Sequence, residues 1–122
     1  MYTLSMRLDH PDEFKVVAVA EPDRERREHF LTAKHNIPKE LQYESYEELL
    51  QQDKMADCAM ICTQDKMHCE PVTMAMQKGY HVLCEKPMSP DKEEIIKMGA
   101  MAKKYDRILS VCHVLRYSPF FL

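Results

Sequence analysis

The sequence predicts an α/β fold built on a doubly wound parallel sheet, and three observations predict it. Short, continuous apolar runs recur at residues 16–20, 59–62, 81–84 and 108–112, as in strands buried on both faces. Stretches with helical spacing, about ten residues or longer, separate them, and connections of that length return the chain to a parallel neighbour. Each apolar run is followed at once by polar or charged residues, and ligands of such sheets bind beyond the carboxyl ends of the strands.

The elements follow in order. Val16-Val17-Ala18-Val19-Ala20 closes at Glu21-Pro22. Asp23 then opens a charged helix reaching about Lys34, with Phe30, Leu31 and Ala33 on its apolar side; His35-Asn36 ends it, because Asn accepts the left-handed conformation of a helix C-terminus. Ile37-Pro38 begins a loop and Tyr43 marks a short edge strand. Ser45-Tyr46-Glu47-Glu48 matches a capping box, so a short helix carrying Leu49 and Leu50 starts there. Ala59-Met60-Ile61-Cys62 leads into the turn Thr63 to His68, then into a helix with Val72, Ala75, Met76 and Gly79 on one face. His81-Val82-Leu83-Cys84 ends in Glu85-Lys86-Pro87. Ser89-Pro90 offers an N-cap and a first-turn proline to a helix that carries Ile95, Met98, Ala102 and Tyr105. Ile108 to Cys112 is the last strand.

Composition excludes several classes of function. The 122 residues leave room for one domain and its core, and 45% hydrophobic content argues against disorder. A net charge of -3, from 17 basic and 20 acidic side chains mixed along the chain, provides no basic face for nucleic acid and no basic amphipathic segment for a membrane. No apolar run approaches the ~18 residues that span a bilayer, so a soluble cytoplasmic protein is expected. Five cysteines are an odd number. Cys62, Cys84 and Cys112 lie in apolar runs and read as reduced core residues. His68, Cys69, His81, Cys84 and His113 lack the close spacing that fixes metal ligands locally, so no metal is expected. The ten methionines read as core filler.

The chemistry concentrates at the strand ends. Glu21 is placed to accept hydrogen bonds from the hydroxyls of an adenosine ribose, and its charge would repel a 2′-phosphate, favouring NAD over NADP. It serves equally well as a helix-start acid, and Arg24 keeps NADP open. Glu85 and Lys86 are adjacent charges fixed by Pro87. A lysine there can relay a hydroxyl proton and stabilise developing negative charge during hydride transfer, or the two can form an exposed ion pair. Thr63 and Gln64 offer donors to a pyrophosphate or ribose, and His68 stands with them or caps the following helix. Arg116 anchors a phosphate or substrate oxygen, or bridges two domains.

In order and spacing, Ala20-Glu21-Pro22-Asp23, Ile61-Cys62-Thr63, His68, Gly79 to Pro87 and Arg116-Tyr117-Ser118-Pro119 resemble the Gfo/Idh/MocA oxidoreductases. The resemblance runs from about residue 14 to the end, and Gly79 to Pro87 is its specific part. Gln64 stands where the family commonly has proline. The resemblance implies a Rossmann domain followed by an α/β domain with an open antiparallel sheet. It also implies hydride transfer between nicotinamide and a hydroxyl carbon of a sugar, cyclitol or related compound. By that analogy Lys86 touches the reacting hydroxyl, while Glu85 and the Thr63 loop lie along the cofactor.

A dinucleotide site also needs a first strand and a glycine-rich turn. The only glycines are Gly79 and Gly99, and neither lies in a GxGxxG. Residues 2 to 8 read as the first helix, so the first strand and glycine-rich loop are expected to be lacking. Residues 1–117 are then a partial dinucleotide-binding domain, and 118–122 begin the linker to a substrate domain. In a 3-2-1-4-5-6 order, the strands at 16–20 and 58–62 would both face the empty central position. The chain alone is expected to be unstable or oligomeric and not to bind NAD. The intact protein is expected to be an assembly of like subunits acting on a small polyol or sugar. A non-catalytic nucleotide-binding or regulatory protein on the same scaffold, and an unrelated α/β domain with solvated helix caps, are the competing readings.

Overall fold

A computed structural model describes residues 8–120. The chain divides into two compact units, one up to Met55 and one from Ala56 onward. The predicted first helix lies outside the described residues, apart from its last residue.

In the first unit, β1 (Val19–Ala20) runs parallel to β2 (Gln42–Tyr43), with Val19 opposite Gln42 and Ala20 opposite Tyr43. The Glu21 amide extends the ladder by donating to the Tyr43 carbonyl at 3.0 Å. Sequence patterning predicts a strand over 16–20 buried on both faces; only Val19 and Ala20 pair, and residues 16–20 are all half-buried. The cause lies in the pairing. Among the described residues β1 has a hydrogen-bonded partner along one edge only.

The helix α1 that follows has π-type hydrogen bonding over Arg26–Thr32 and α-type over Ala33–His35. Asp23 Oδ1 accepts from the Arg26 amide at 2.8 Å, and Asn36 follows at φ 54°, the left-handed conformation expected there. Ser45 caps α2 (Tyr46–Gln51) by accepting from the Glu48 amide at 3.3 Å. The reciprocal half of the capping box is displaced by one residue, since the Glu48 carboxylate accepts from the Glu44 amide at 3.2 Å. Arg27 is the buried cation of this unit. Its guanidinium donates to the carbonyls of Glu21 and Pro22 and to Glu44 Oε1 at 3.3 Å, tying the end of β1 to the residue after β2.

The second unit carries β3 (Cys58–Ile61), β4 (His81–Cys84) and β5 (Leu109–Val111), parallel and in that spatial order. Ile61 lies opposite Cys84, and Cys84 opposite Val111. Among the described residues β3 pairs on one side only. Between the strands run α3 (Cys69–Gln77) and α4 (Lys92–Lys104), which pack on each other, with α3 also lying against β3 and β4. Because α3 is covered by both sheet and helix, six of its side chains are buried: Cys69, Pro71, Val72, Thr73, Ala75 and Met76. They close over Val82 and Cys84 below and Met98 above.

Three expectations from the sequence do not hold in this unit. Gly79 is not on the apolar face of α3. It follows the helix at φ 90°, where a residue without Cβ turns the chain into β4. Ser89 does not cap α4; Asp91 does, its carboxylate accepting from the Glu93 amide at 2.8 Å. Ser89 accepts from the Asp91 amide at 3.0 Å and donates to the Glu94 carboxylate, and it thereby holds the approach to the helix. Ile95 is 38% exposed, because α4 has only the narrow stripe around Met98 to present to α3.

Burial separates the two large apolar residues Met76 and Ile96 in energy. Met76→Ala is expected to cost about 2–5 kcal/mol in denaturant unfolding. The exposed Ile96→Ala is expected to stay within about 0.5 kcal/mol of the parent.

Candidate cofactor and catalytic site

The parallel register of the second unit brings three strands to one edge. Beyond the paired residues, the Glu85 amide donates to the Ile61 carbonyl and the Cys112 amide to the Cys84 carbonyl, both at 2.9 Å. Cys62-Thr63, Glu85-Lys86 and Cys112-His113 therefore leave the sheet side by side. Alternation puts Cys84 on the face covered by α3, and Cys62, Glu85 and Cys112 on the opposite face.

This alternation overturns the expectation that Cys62, Cys84 and Cys112 are all core residues. Cys84 is fully buried, Cys112 half-buried and Cys62 exposed, because only the first lies under α3. Burial pushes the Cys84 thiol up to about 11. The Cys62 thiol is also held above its ordinary value, by partial desolvation first and then by Glu85 and Cys112. All five cysteines are free, and no group of three or more metal-ligating side chains gathers among the described residues.

The loop after β3 starts at Thr63, whose hydroxyl donates to the Met67 carbonyl at 3.2 Å and closes the turn Asp65–Met67. Gln64, Asp65 and Lys66 are exposed and line an open hollow. The loop after β4 carries Glu85, half-buried, and Lys86, exposed. The Lys86 amide donates to Glu85 Oε2 at 3.0 Å, and the Lys86–Pro87 peptide is cis.

His68 joins these two loops. Its side chain does not cap α3, the local alternative offered by its position, and the residue is 0% exposed. Nδ1 lies 2.9 Å from the Pro87 carbonyl oxygen and 3.1 Å from that of Met88, and Nε2 lies 3.0 Å from the Thr63 carbonyl oxygen.

Five of the sequence-predicted site residues, Thr63, Gln64, His68, Glu85 and Lys86, are thus on or between adjacent loops at one sheet edge. Arg116 lies in the same unit, exposed, in the turn Val114–Tyr117 after β5. Glu21 belongs to the first unit, half-buried after β1, where its Oε1 accepts from the Asp23 amide at 2.9 Å. Arg24 is exposed and pairs with Glu28 at 3.0 Å. Sequence reasoning missed Arg27, which fixes the backbone of Glu21. Nothing in the charged run from Asp23 to His29 marks it as buried, beyond its place four residues after the helix-start Asp23.

A sequence model of the Gfo/Idh/MocA oxidoreductases, described as an oxidoreductase family with an NAD-binding Rossmann fold, matches residues 3–113. The chain belongs to this family. Among curated Gfo/Idh/MocA relatives, trans-1,2-dihydrobenzene-1,2-diol dehydrogenase of Sus scrofa is 38% identical over 118 residues, or 97% of this chain and 34% of the relative. The solved WlbA dehydrogenase of Bordetella pertussis, in complex with NADH and UDP-GlcNAcA, superposes with a TM-score of 0.87 at 21% identity, over 98% of this chain and 34% of that one. The 3-ketoreductase KijD10 of Actinomadura kijaniata, in complex with NADP, superposes with a TM-score of 0.74 at 26% identity, over 86% and 31%. The chain spans about a third of the length of the curated relatives it matches. Among the described residues no helix is long and apolar enough to cross a membrane.

The cysteine placement makes a chemical prediction. At pH 8 a thiol with a pKa near 11 is thiolate in about one molecule in a thousand, so iodoacetamide should modify Cys62 long before Cys84, with Cys84 reacting only as the pH approaches 11 or the protein unfolds. Peptide mapping by mass spectrometry reads the order. Equal rates at pH 8 would contradict the buried position of Cys84.

Proposed function

We propose that the intact protein is an NAD(P)-dependent oxidoreductase that moves a hydride between nicotinamide and a hydroxyl carbon of a sugar, cyclitol or related vicinal diol. The observation that carries the reading is Lys86, an exposed ammonium beside Glu85 at the end of β4, level with the Thr63 loop in a member of this oxidoreductase family. The name of the diol dehydrogenase relative and the sugar-nucleotide ligand of the WlbA complex support the substrate class.

The chemistry of the strand-end loops fits a dinucleotide. Thr63 and Gln64 bring hydroxyl and amide groups to the edge of a hollow, Glu85 brings an acceptor, and Arg116 a fixed cation suited to a phosphate or substrate oxygen. When bound, the nicotinamide supplies the hydride donor or acceptor. Lys86 donates a hydrogen bond to the substrate oxygen, offsets negative charge growing there, and exchanges the hydroxyl proton with solvent. Glu85 is held at the start of the same loop by the contact of its carboxylate with the Lys86 backbone amide. Glu21 receives the adenosine ribose, with its Oε2 oxygen as the acceptor, and favours NAD. Residues 1–117 form the dinucleotide-binding part, and 118–122 lead toward a substrate domain. Five free thiols support a reducing, cytoplasmic compartment.

Steady-state assays of the full-length protein with NAD and NADP, against trans-dihydrodiols and cyclic polyols, test the reading. Lys86→Ala should lower kcat by about 10²–10⁴-fold with the NADH dissociation constant nearly unchanged. Absence of dinucleotide-linked turnover across the panel would defeat it. Glu21→Ala should weaken NAD and relieve the rejection of NADP, shifting their kcat/KM ratio toward NADP by at least about tenfold; an unchanged ratio would leave Glu21 as a helix-start acid.

A further inference from the structure

We infer that His68 is a positioning residue for Lys86: the imidazole straps the loop after β3 to the loop after β4 and so fixes the backbone that carries the ammonium. The inference rests on the function proposed for Lys86, but its structural half stands separately.

A fully buried imidazole must find partners for both ring nitrogens, since an unpaired polar atom in the interior is costly. Here every partner is a backbone carbonyl: Thr63 on the Nε2 side, Pro87 and Met88 on the Nδ1 side. Carbonyl oxygens only accept, so each contact becomes a hydrogen bond when the ring nitrogen facing it carries the hydrogen. The two ends are 5 residues before His68 and 19 and 20 residues after it, and they lie on loops that leave neighbouring strands. No other hydrogen bond between side chain and backbone described for this unit joins the Thr63 loop to the Pro87 loop.

The geometry sets what the strap can control. Pro87 is bonded covalently to Lys86, so the carbonyl held by His68 is one residue from the ammonium's own backbone. Thr63 is at the other end, and its hydroxyl fixes the turn whose exposed residues line the hollow. A side chain buried behind both loops thereby sets the separation between a cofactor-binding loop and the proton-handling lysine without touching either ligand. The direct cofactor contact expected of His68 from its sequence position is replaced by this indirect role.

The test is a kinetic cycle on the full-length protein with His68→Ala, Lys86→Ala and the double variant, joined by hydrogen exchange read by mass spectrometry. His68→Ala should lower kcat at least about tenfold while the NADH dissociation constant moves less than about threefold. In the Lys86→Ala background the same change should cost less than about twofold, because the residue it positions is already gone. Exchange should rise in residues 63–68 and 85–91 and stay low in β4. His68→Gln, which keeps a donor at one end only, should show the same pattern if the alanine variant does not fold. An equal loss of kcat in both backgrounds, or a loss explained by NADH affinity, would overturn the positioning role. If the wild type shows no turnover, the proposed reaction fails and exchange alone decides the strap: a rise in both loops upholds it, and unchanged loops overturn it.

Discussion

The structure of the second unit depends on the parallel register that sets Ile61, Cys84 and Val111 in one row. A slip of one residue would turn Cys84 out from under α3 and bring Glu85 into the core, where an unpaired carboxylate is too costly to keep. The core excludes that slip. Val72, Ala75 and Met76 of α3 lie over the face that carries Val82 and Cys84, and they select the register in which the charged residues fall just past the ladder. The apolar half of the fold thus decides where its polar half emerges.

Placing charges at a strand end does not yet fix them relative to each other, because loops are the least constrained part of such a unit. Two buried polar side chains supply the missing constraint, one in each unit. His68 holds the carbonyls of Thr63, Pro87 and Met88, and Arg27 holds the carbonyls of Glu21 and Pro22. Both act through backbone, so each stiffens the segment next to an expected ligand-binding residue while leaving that residue's side chain available.

Much of this was legible in the sequence because it rests on local pattern. The strands at 59–62, 81–84 and 108–112, the helix between Asp91 and Tyr105 and the strand-end position of Glu85 and Lys86 follow from apolar periodicity and the residues that interrupt it. Membership of the Gfo/Idh/MocA family was legible in the order of short motifs, above all Gly79 to Pro87. What escaped depends on contacts that apolar periodicity does not encode. The exposure of Cys62 against the burial of Cys84 is decided by which sheet face α3 covers, and an apolar run read alone is blind to that. The buried Arg27 is one charge among many in its run, and only the carbonyls at the end of β1 distinguish it. Ser89 lost the cap of α4 to Asp91 because a carboxylate two residues later makes the stronger charged hydrogen bond.

The central claim is that the loops after β3 and β4 form the cofactor-facing edge of the molecule. Amide chemical shifts of the 15N-labelled full-length protein, followed through a titration with NADH, test it most directly. The account predicts that the largest changes fall on Thr63 to His68 and on Glu85 and Lys86, with the exposed side of α4 around Ile96 and Lys97 unmoved. Changes gathered on α4, or absent from both strand-end loops while NADH binds, would contradict it.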